Sequence, residues 1–358
     1  MNRLRYFFYT SILPCAAATT SCCARPHNIS ATDCVRAKEN ALEGARAALQ
    51  ANDVATPGLL GTCIAAGSAV ACTNPDAPLA LQSVMKLLVA IAVFDRADAG
   101  QLDLQQRLTI KPADLSVGVQ PLAKLVLARG SMQFTVAQLV RRMVTESDSA
   151  ETDALIEHLG GPKAVDRVIA RHVPAGIRVD RYERELQSDL AGLVWQPSFT
   201  DPTAYAAARA AVAPPRQAAA RRFAARDPRD RATPQAMTSL MTKLADGSLL
   251  SPQSTQQLIA IMEETRTFPD RLVAGVPPGW RIAHKTGTSR TVSGMTAMTA
   301  DVGILTAPDG KRLVAVAFLA DSIAPAAQRA RAIAEVGAIT QRYHSQITTA
   351  PACQPGAP

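Results

Sequence analysis

The sequence predicts an α/β (α+β) protein: an antiparallel sheet built from both chain ends, flanked by helices, with an all-helical lobe inserted between them. Three observations carry this. Strand-like runs joined by turn residues occur near 59–72 and again at 280–320, while the stretch between them has the apolar spacing of helices. The chain has 358 residues, 47% of them hydrophobic, enough to bury a substantial core. Aromatic residues make up only 4% and alanine is very common, which favours helices packed through Ala, Leu and Val over an aromatic-rich β-sandwich.

A first helix is expected over 31–49, opened by Ser30 or Thr32 as cap. A hairpin follows over 59–72, turning at Gly67-Ser68. Counting outward from that turn pairs 66 with 69, 65 with 70, 64 with 71 and 63 with 72. Alternation then puts Cys63 and Cys72 at a non-hydrogen-bonded pair, where Cα atoms approach most closely. Both a cross-strand disulfide and two buried free thiols satisfy that placement. Residues 74–78 form a turn, and 85–97 is a strongly apolar helix ending near Gly100, with Ser83 at its start.

Helices continue over 135–145 and 150–159, the latter stopped by Gly160-Gly161, and Pro162 suits the first turn of the next. Residues 174–202 read as a long irregular loop. The Ala-, Arg- and Pro-rich stretch 203–230 fits either a helical insertion or a mobile surface segment. Strands return over 280–288, 300–306 and 313–320, the last two flanking the turn Pro308-Asp309-Gly310, before an amphipathic helix over 324–343. The domain assignment is a signal peptide at 1–22, an α/β lobe from 30–82 and 237–345, a helical lobe over 83–236 with an omega-type loop near 174–202, and a tail at 346–358. A cleft between the lobes is the expected site.

Arg3 and Arg5, the short apolar run 6–13 and the small residues Ala16, Ala17, Ala18 and Ser21 form the pattern of an export signal. Neither that run nor a later one reaches the ~18 apolar residues of a membrane span. Periplasmic or secreted localisation follows, with a lipid anchor on Cys22 as the lesser alternative. Seven cysteines without C-x-x-C spacing fit an oxidising compartment, and Cys34 with Cys353 is a second candidate pair. No cysteine stands with histidine at metal-ligand spacing, so no metal and no cofactor are expected. The net charge of +8 is spread along the chain. The densest arginine cluster also carries Asp227 and Asp230 and no stacking aromatic run, which argues against a nucleic-acid face.

Three short motifs can carry chemistry. Ser83 and Lys86 form the single S-x-x-K of the chain. Three residues apart on a helix they share a face, so the amine can take the hydroxyl proton. A helix N-terminus also favours an oxyanion beside the serine. The competing reading is a capping serine with a surface lysine. Ser147-Asp148-Ser149 follows a helix and by itself reads as a cap. Lys285-Thr286-Gly287-Thr288 lies on a strand, where its lysine and hydroxyls suit a carboxylate and its glycine permits close approach. Alone it reads equally as an edge strand guarded by a lysine.

In this order and at wide spacing, S-x-x-K, S-D-x and K-T-G form the constellation of penicillin-recognising serine enzymes. Over residues 35–345 the chain resembles class A serine β-lactamases, most closely the extended-spectrum branch with a longer mid-region. Asp180-Arg181-Tyr182-Glu183-Arg184-Glu185-Leu186 resembles that family's omega loop, and Leu159-Gly160-Gly161-Pro162, 245–251 and 283–289 resemble further segments of it.

The resemblance implies a β-lactamase/transpeptidase-like fold and a small-molecule β-lactam substrate opened by a monomeric enzyme through an acyl-enzyme on Ser83. The catalytic set would be Ser83, Lys86, Ser147 and Glu183. Lys86, Glu183 through water, or both would take the serine proton. Ser147 would relay a proton to the ring nitrogen, and Glu183 would activate water for deacylation. Substrate binding would fall to Ser149, Gln187, Lys285, Thr286, Gly287 and Thr288, with Arg312 assisting from the neighbouring strand. Ser149 and Gln187 each stand where the family usually has asparagine, which bears on substrate range. The alternatives are a D-alanyl-D-alanine peptidase and a β-lactam sensor that stays acylated. Glu183 in its D-R-Y-E context speaks against the peptidase, and a sensor is expected to carry a membrane signalling segment, which the sequence after residue 25 does not show.

Overall fold

A computed structural model describes residues 31–349. The expected signal segment, Cys22 and Cys353 lie outside the described residues. Helix α1 (Ala31–Ala55) continues past residue 49, because no breaker intervenes before Pro57-Gly58. Strands β1 (Leu59–Ala66) and β2 (Ala69–Thr73) pair in the expected register, Ala66 with Ala69 through Cys63 with Cys72. The Cys63 and Cys72 Cα atoms are 4.1 Å apart and the sulfurs are bonded, which settles the disulfide against the free thiols.

In chain order there follow β3 (Leu79–Ala80), a 3-10 turn (Gln82–Val84), α2 (Met85–Asp98), β4 (Arg107–Ile110), α3 (Pro121–Arg129), β5 (Met132–Thr135), α4 (Val136–Glu146), α5 (Ser149–His158) and α6 (Pro162–His172). The Thr135 side chain caps α4 by accepting from the Gln138 amide, and Asp148 caps α5 by accepting from that of Glu151. The stretch 174–202 is more ordered than its polar composition suggests. It holds α7 (Glu183–Leu190), whose only apolar residues are Leu186 and Leu190. The next stretch forms two helices, α8 (Pro202–Ala210) and α9 (Pro214–Arg226), which decides for a helical insertion.

The chain then runs through β6 (Arg231–Ala232), α10 (Pro234–Asp246), α11 (Pro252–Glu263), a 3-10 turn (Leu272–Gly275), β7 (Arg281–Thr288), β8 (Thr291–Val292), β9 (Met295–Thr306), β10 (Arg312–Ser322) and α12 (Ala326–Thr349). Helix α12 takes in residues 346–349, which the sequence reading assigns to the tail.

The main sheet has the order β2-β1-β10-β9-β7, every pairing antiparallel, with β8 folded back on the end of β9. Successive side chains of β10 point to opposite faces. Val314, Val316 and Phe318 join a core with α2 and the helical region, whereas Leu313, Ala315 and Ala317 pack with Leu49 of α1 and Ile333, Val336 and Ile339 of α12. Helix α2 is buried all round from Met85 to Phe94, so it is the axle against which the intervening helices and the sheet both pack. Among the described residues, no helix is long and apolar enough to cross a membrane.

Candidate active site

Ser83 lies in the 3-10 turn leading into α2, one turn ahead of Lys86. The Lys86 ammonium is fully buried. It donates to Ser83 Oγ at 3.2 Å and pairs with Glu183 Oε1 at 2.9 Å. Glu183 is the first residue of α7 and is itself buried. Its Oε1 also accepts from Gln187 Nε2 at 3.0 Å and from Ser149 Oγ at 3.4 Å, while Oε2 is buried and has no hydrogen-bond partner among the described residues. The sequence-expected Ser83, Lys86, Glu183, Gln187 and Ser149 thus form one hydrogen-bonded chain.

The second half of the site comes from β7. Gly287 is required where β7 passes the serine turn: a Cβ there would stand 2.9 Å from the Leu81 carbonyl oxygen and 3.3 Å from Gln82 Cβ. Lys285 Nζ donates to Ser147 Oγ at 3.1 Å and to the Thr286 carbonyl at 3.1 Å. Ser147 ends α4 in the left-handed region, φ 61°, which turns its hydroxyl toward β7. Full burial, and next the neighbouring Lys86 charge, push the Lys285 ammonium down to about 7. Thr286 Oγ1 shares a 2.7 Å hydrogen bond with Thr267 Oγ1.

Arg271 and Asp153 belong to the site although neither is among the sequence-expected residues. Arg271, just ahead of β7, is 3% exposed and donates to Thr288 Oγ1 at 2.6 Å and to the carbonyls of Gly287 and Ala300 at 3.2 and 2.9 Å. Burial draws its guanidinium down to about 10. Arg312, by contrast, does not assist. It faces Thr306, which on its other side faces Arg281, so it sits at the end of the sheet away from Thr288 and binds the Ala245 carbonyl instead.

Asp153 accepts from the backbone amides of Glu183 and Arg184 at 2.6 and 3.0 Å and from Ser116 Oγ at 2.7 Å. It pins the N-terminus of α7, and with it the Glu183 carboxylate. Burial raises its carboxyl to about 7. Its place four residues after Ser149, on the same face of α5, was the available clue.

Ser83, Ser149, Glu183, Gln187 and Thr288 line one cavity of about 670 Å³. Lys86 reaches it through Ser83 and Glu183, whereas Lys285 and Ser147, bonded to each other, stand behind the lining. Tyr205, Arg209 and Gln217 of α8 and α9 line it as well, a role for the insertion that its composition does not reveal. Among the described residues, no group of three or more His, Cys, Asp or Glu side chains is placed to hold a metal ion.

A profile described as the beta-lactamase enzyme family matches residues 42–344. Beta-lactamase VEB-1 of Pseudomonas aeruginosa is 28% identical over 273 residues, covering 76% of this chain and 80% of the relative. Among solved structures, a β-lactamase from Chitinophaga pinensis superposes with a TM-score of 0.69 at 25% identity, over 83% of this chain and 97% of the other. An ancestral class A β-lactamase superposes with a TM-score of 0.66 at 28% identity, over 83% and 98%.

Proposed function

Because the chain belongs to the β-lactamase enzyme family, we propose that its reaction, serine-dependent hydrolysis of β-lactams, is divided among the residues around Ser83 as follows. The observation that carries this reading is the unbroken chain Ser83–Lys86–Glu183, which ends on a buried carboxylate oxygen with no partner among the described residues.

Lys86 first gives its extra proton to Glu183, with which it is paired, and the neutral amine takes the Ser83 Oγ proton as that oxygen adds to the lactam carbonyl. The backbone N–H groups of Ser83 and Thr288 would hold the oxyanion. As the C–N bond breaks, Ser147 gives its proton to the ring nitrogen and is resupplied by Lys285, its hydrogen-bond donor. The proton left on Glu183 returns through solvent to Lys285, restoring carboxylate and ammonium. Glu183 then takes a proton from water through Oε2, the hydroxide attacks the acyl carbonyl, Ser83 Oγ leaves with the proton held by Lys86, and Glu183 passes its own proton back to Lys86. Gln187 and Ser149 hold Oε1 so that Oε2 stays free for that task. The substrate carboxylate is held by the Lys285 ammonium and the hydroxyls of Thr286 and Thr288. Arg271 donates to Thr288 Oγ1, which leaves the threonine's own hydroxyl proton to donate to the substrate.

We assign the helical lobe to 83–236 and the α/β lobe to 30–82 with 237–345, the site lying where Ser83 meets β7. The Cys63–Cys72 disulfide suits an oxidising compartment, which supports export to the periplasm or medium; we take the enzyme to act as a monomer. The test is a chromogenic cephalosporin in large excess. Many turnovers per molecule are expected. A single burst of one equivalent would overturn the hydrolase reading in favour of a sensor or a peptidase.

A further inference from the structure

The geometry points to the helical insertion as a selectivity element: Arg209 of α8 forms a cationic subsite that favours β-lactams whose acyl side chain carries a carboxylate. The inference rests on the β-lactamase reading and adds a substrate class to it.

The argument starts from the shape of the substrate. Penicillins and cephalosporins carry their ring carboxylate and their acylamino group on opposite ends of a rigid bicycle. With the lactam carbonyl at Ser83 and the ring carboxylate at Lys285, Thr286 and Thr288, the acyl group is directed the other way, toward Ser149 and Gln187. Beyond Gln187 the same cavity is walled by the insertion. Tyr205 and Arg209 come from α8, Gln217 from α9. The Tyr205 hydroxyl donates to the Gln187 carbonyl at 3.3 Å, which ties α8 to the end of α7.

Arg209 is half-buried, and no hydrogen bond or ion pair engages its guanidinium among the described residues. Arg290, on the β7 side of the same cavity, is itself engaged, and three arginines around α7 are occupied as well. Arg181 and Arg229 are held by Asp189 and Asp227, and Arg184 lies over the Tyr182 and Trp195 rings. The one carboxylate lining the cavity, Glu183, is already paired with Lys86. An anion entering this end of the cleft therefore meets a guanidinium without a competing protein carboxylate. A planar guanidinium also matches a carboxylate in two-point geometry.

The test compares benzylpenicillin with α-carboxybenzylpenicillin, which differ by one carboxylate on the acyl side chain. The readout is the ratio of kcat/KM for the carboxylated to the neutral substrate, measured on one preparation so that the folded fraction cancels. Arg209→Gln is expected to lower this ratio about tenfold, which corresponds to about 1.4 kcal/mol. Arg209→Glu, which reverses the charge, is expected to lower it further. Ratios within twofold of wild type in both variants, with both substrates still hydrolysed, would overturn the Arg209 subsite and leave the β-lactamase reading intact. A wild-type protein that hydrolyses neither substrate would overturn that reading, and the subsite with it.

Discussion

Replacing Glu183 with glutamine separates the two chemical steps proposed for this site. Glutamine keeps the shape of the side chain, including an oxygen that can accept from Lys86, Gln187 and Ser149, the three groups now 2.9, 3.0 and 3.4 Å from Oε1. What it removes is the charge and the basic Oε2. A positioned general base contributes roughly 10²- to 10⁴-fold. Applied to deacylation of an enzyme turning over at about 10 s⁻¹, the loss leaves about 0.1 to 0.001 s⁻¹. Acylation should persist, because a buried amine deprived of its counter-ion favours the uncharged form, which is the form that accepts the serine proton. Breaking a buried pair also costs about 3–5 kcal/mol, a fall in Tm of about 4–8 °C for a chain of this size. The assay is a rapid-mixing experiment with a chromogenic cephalosporin, followed by intact-mass analysis. A burst of one equivalent, slow steady turnover and an adduct on Ser83 are expected. Linear turnover at the wild-type rate would refute the role of Glu183. Absence of both burst and adduct would refute the division of labour between Lys86 and Glu183.

Two further outcomes follow from the same geometry. Lys285 titrates near 7 in the free protein, so its ammonium, and with it the grip on the ring carboxylate, is lost as pH rises through that value. Because kcat/KM reports free-enzyme ionisations, it should fall about tenfold or more between pH 7 and 9, and Lys285→Arg, which stays charged, should flatten that limb in a pH–rate profile. An unchanged alkaline limb in the variant would mean that another group sets it. Cys63 and Cys72 are nine residues apart, and closing a loop of that size restrains the unfolded chain by about 2.6 kcal/mol. The Cys63→Ala/Cys72→Ala double variant should therefore lose about 4 °C in a calorimetric Tm while keeping its turnover, since β2 lies at the sheet edge opposite β7. A shift under 1 °C would contradict the loop-entropy account.

What the sequence made legible is what local rules govern. The β1–β2 register follows from a two-residue turn and a period of two, and both are written in the chain. The positions of Ser83, Lys86, Ser147 and Lys285 were legible because each motif is short. The misses are tertiary. Helix α7 carries apolar residues only at Leu186 and Leu190 and takes its N-terminal anchor from Asp153, thirty residues earlier in the chain. No window of sequence contains both. The contacts of Arg271 run to main-chain carbonyls of Gly287 and Ala300, which bear no residue-type signature. Helices α8 and α9 do carry a local mark, Pro202 and Pro214 in their first turns. It went unread because their Ala- and Arg-rich composition has no apolar stripe against which to set a period.

The insertion also shows how an active-site loop tolerates added length. Helices α8 and α9 leave after Leu190 and return before Asp227, and both ends of that excursion are pinned to one residue. Arg181 bonds Asp189 on the outgoing side at 2.6 Å, and Asp230 and Asp227 on the returning side at 2.6 and 3.1 Å. Asp230 also accepts from the backbone amides of Asp180 and Arg181, and Asp180 accepts from that of Asp230. Although burial opposes it, bonding to Arg229 holds the Asp227 carboxyl below its ordinary range, whereas burial raises that of Asp230 despite its bonds to Arg181. With the neck closed by these pairs, each doubling of the chain beyond it costs only about 0.6 kcal/mol in closure entropy. That cost falls on the neck and not on Glu183, which Asp153 and Lys86 fix from the opposite side. The carboxylate proposed for deacylation is thus anchored on the side away from the insertion, which reaches it through the Tyr205–Gln187 hydrogen bond and the Gln187 amide.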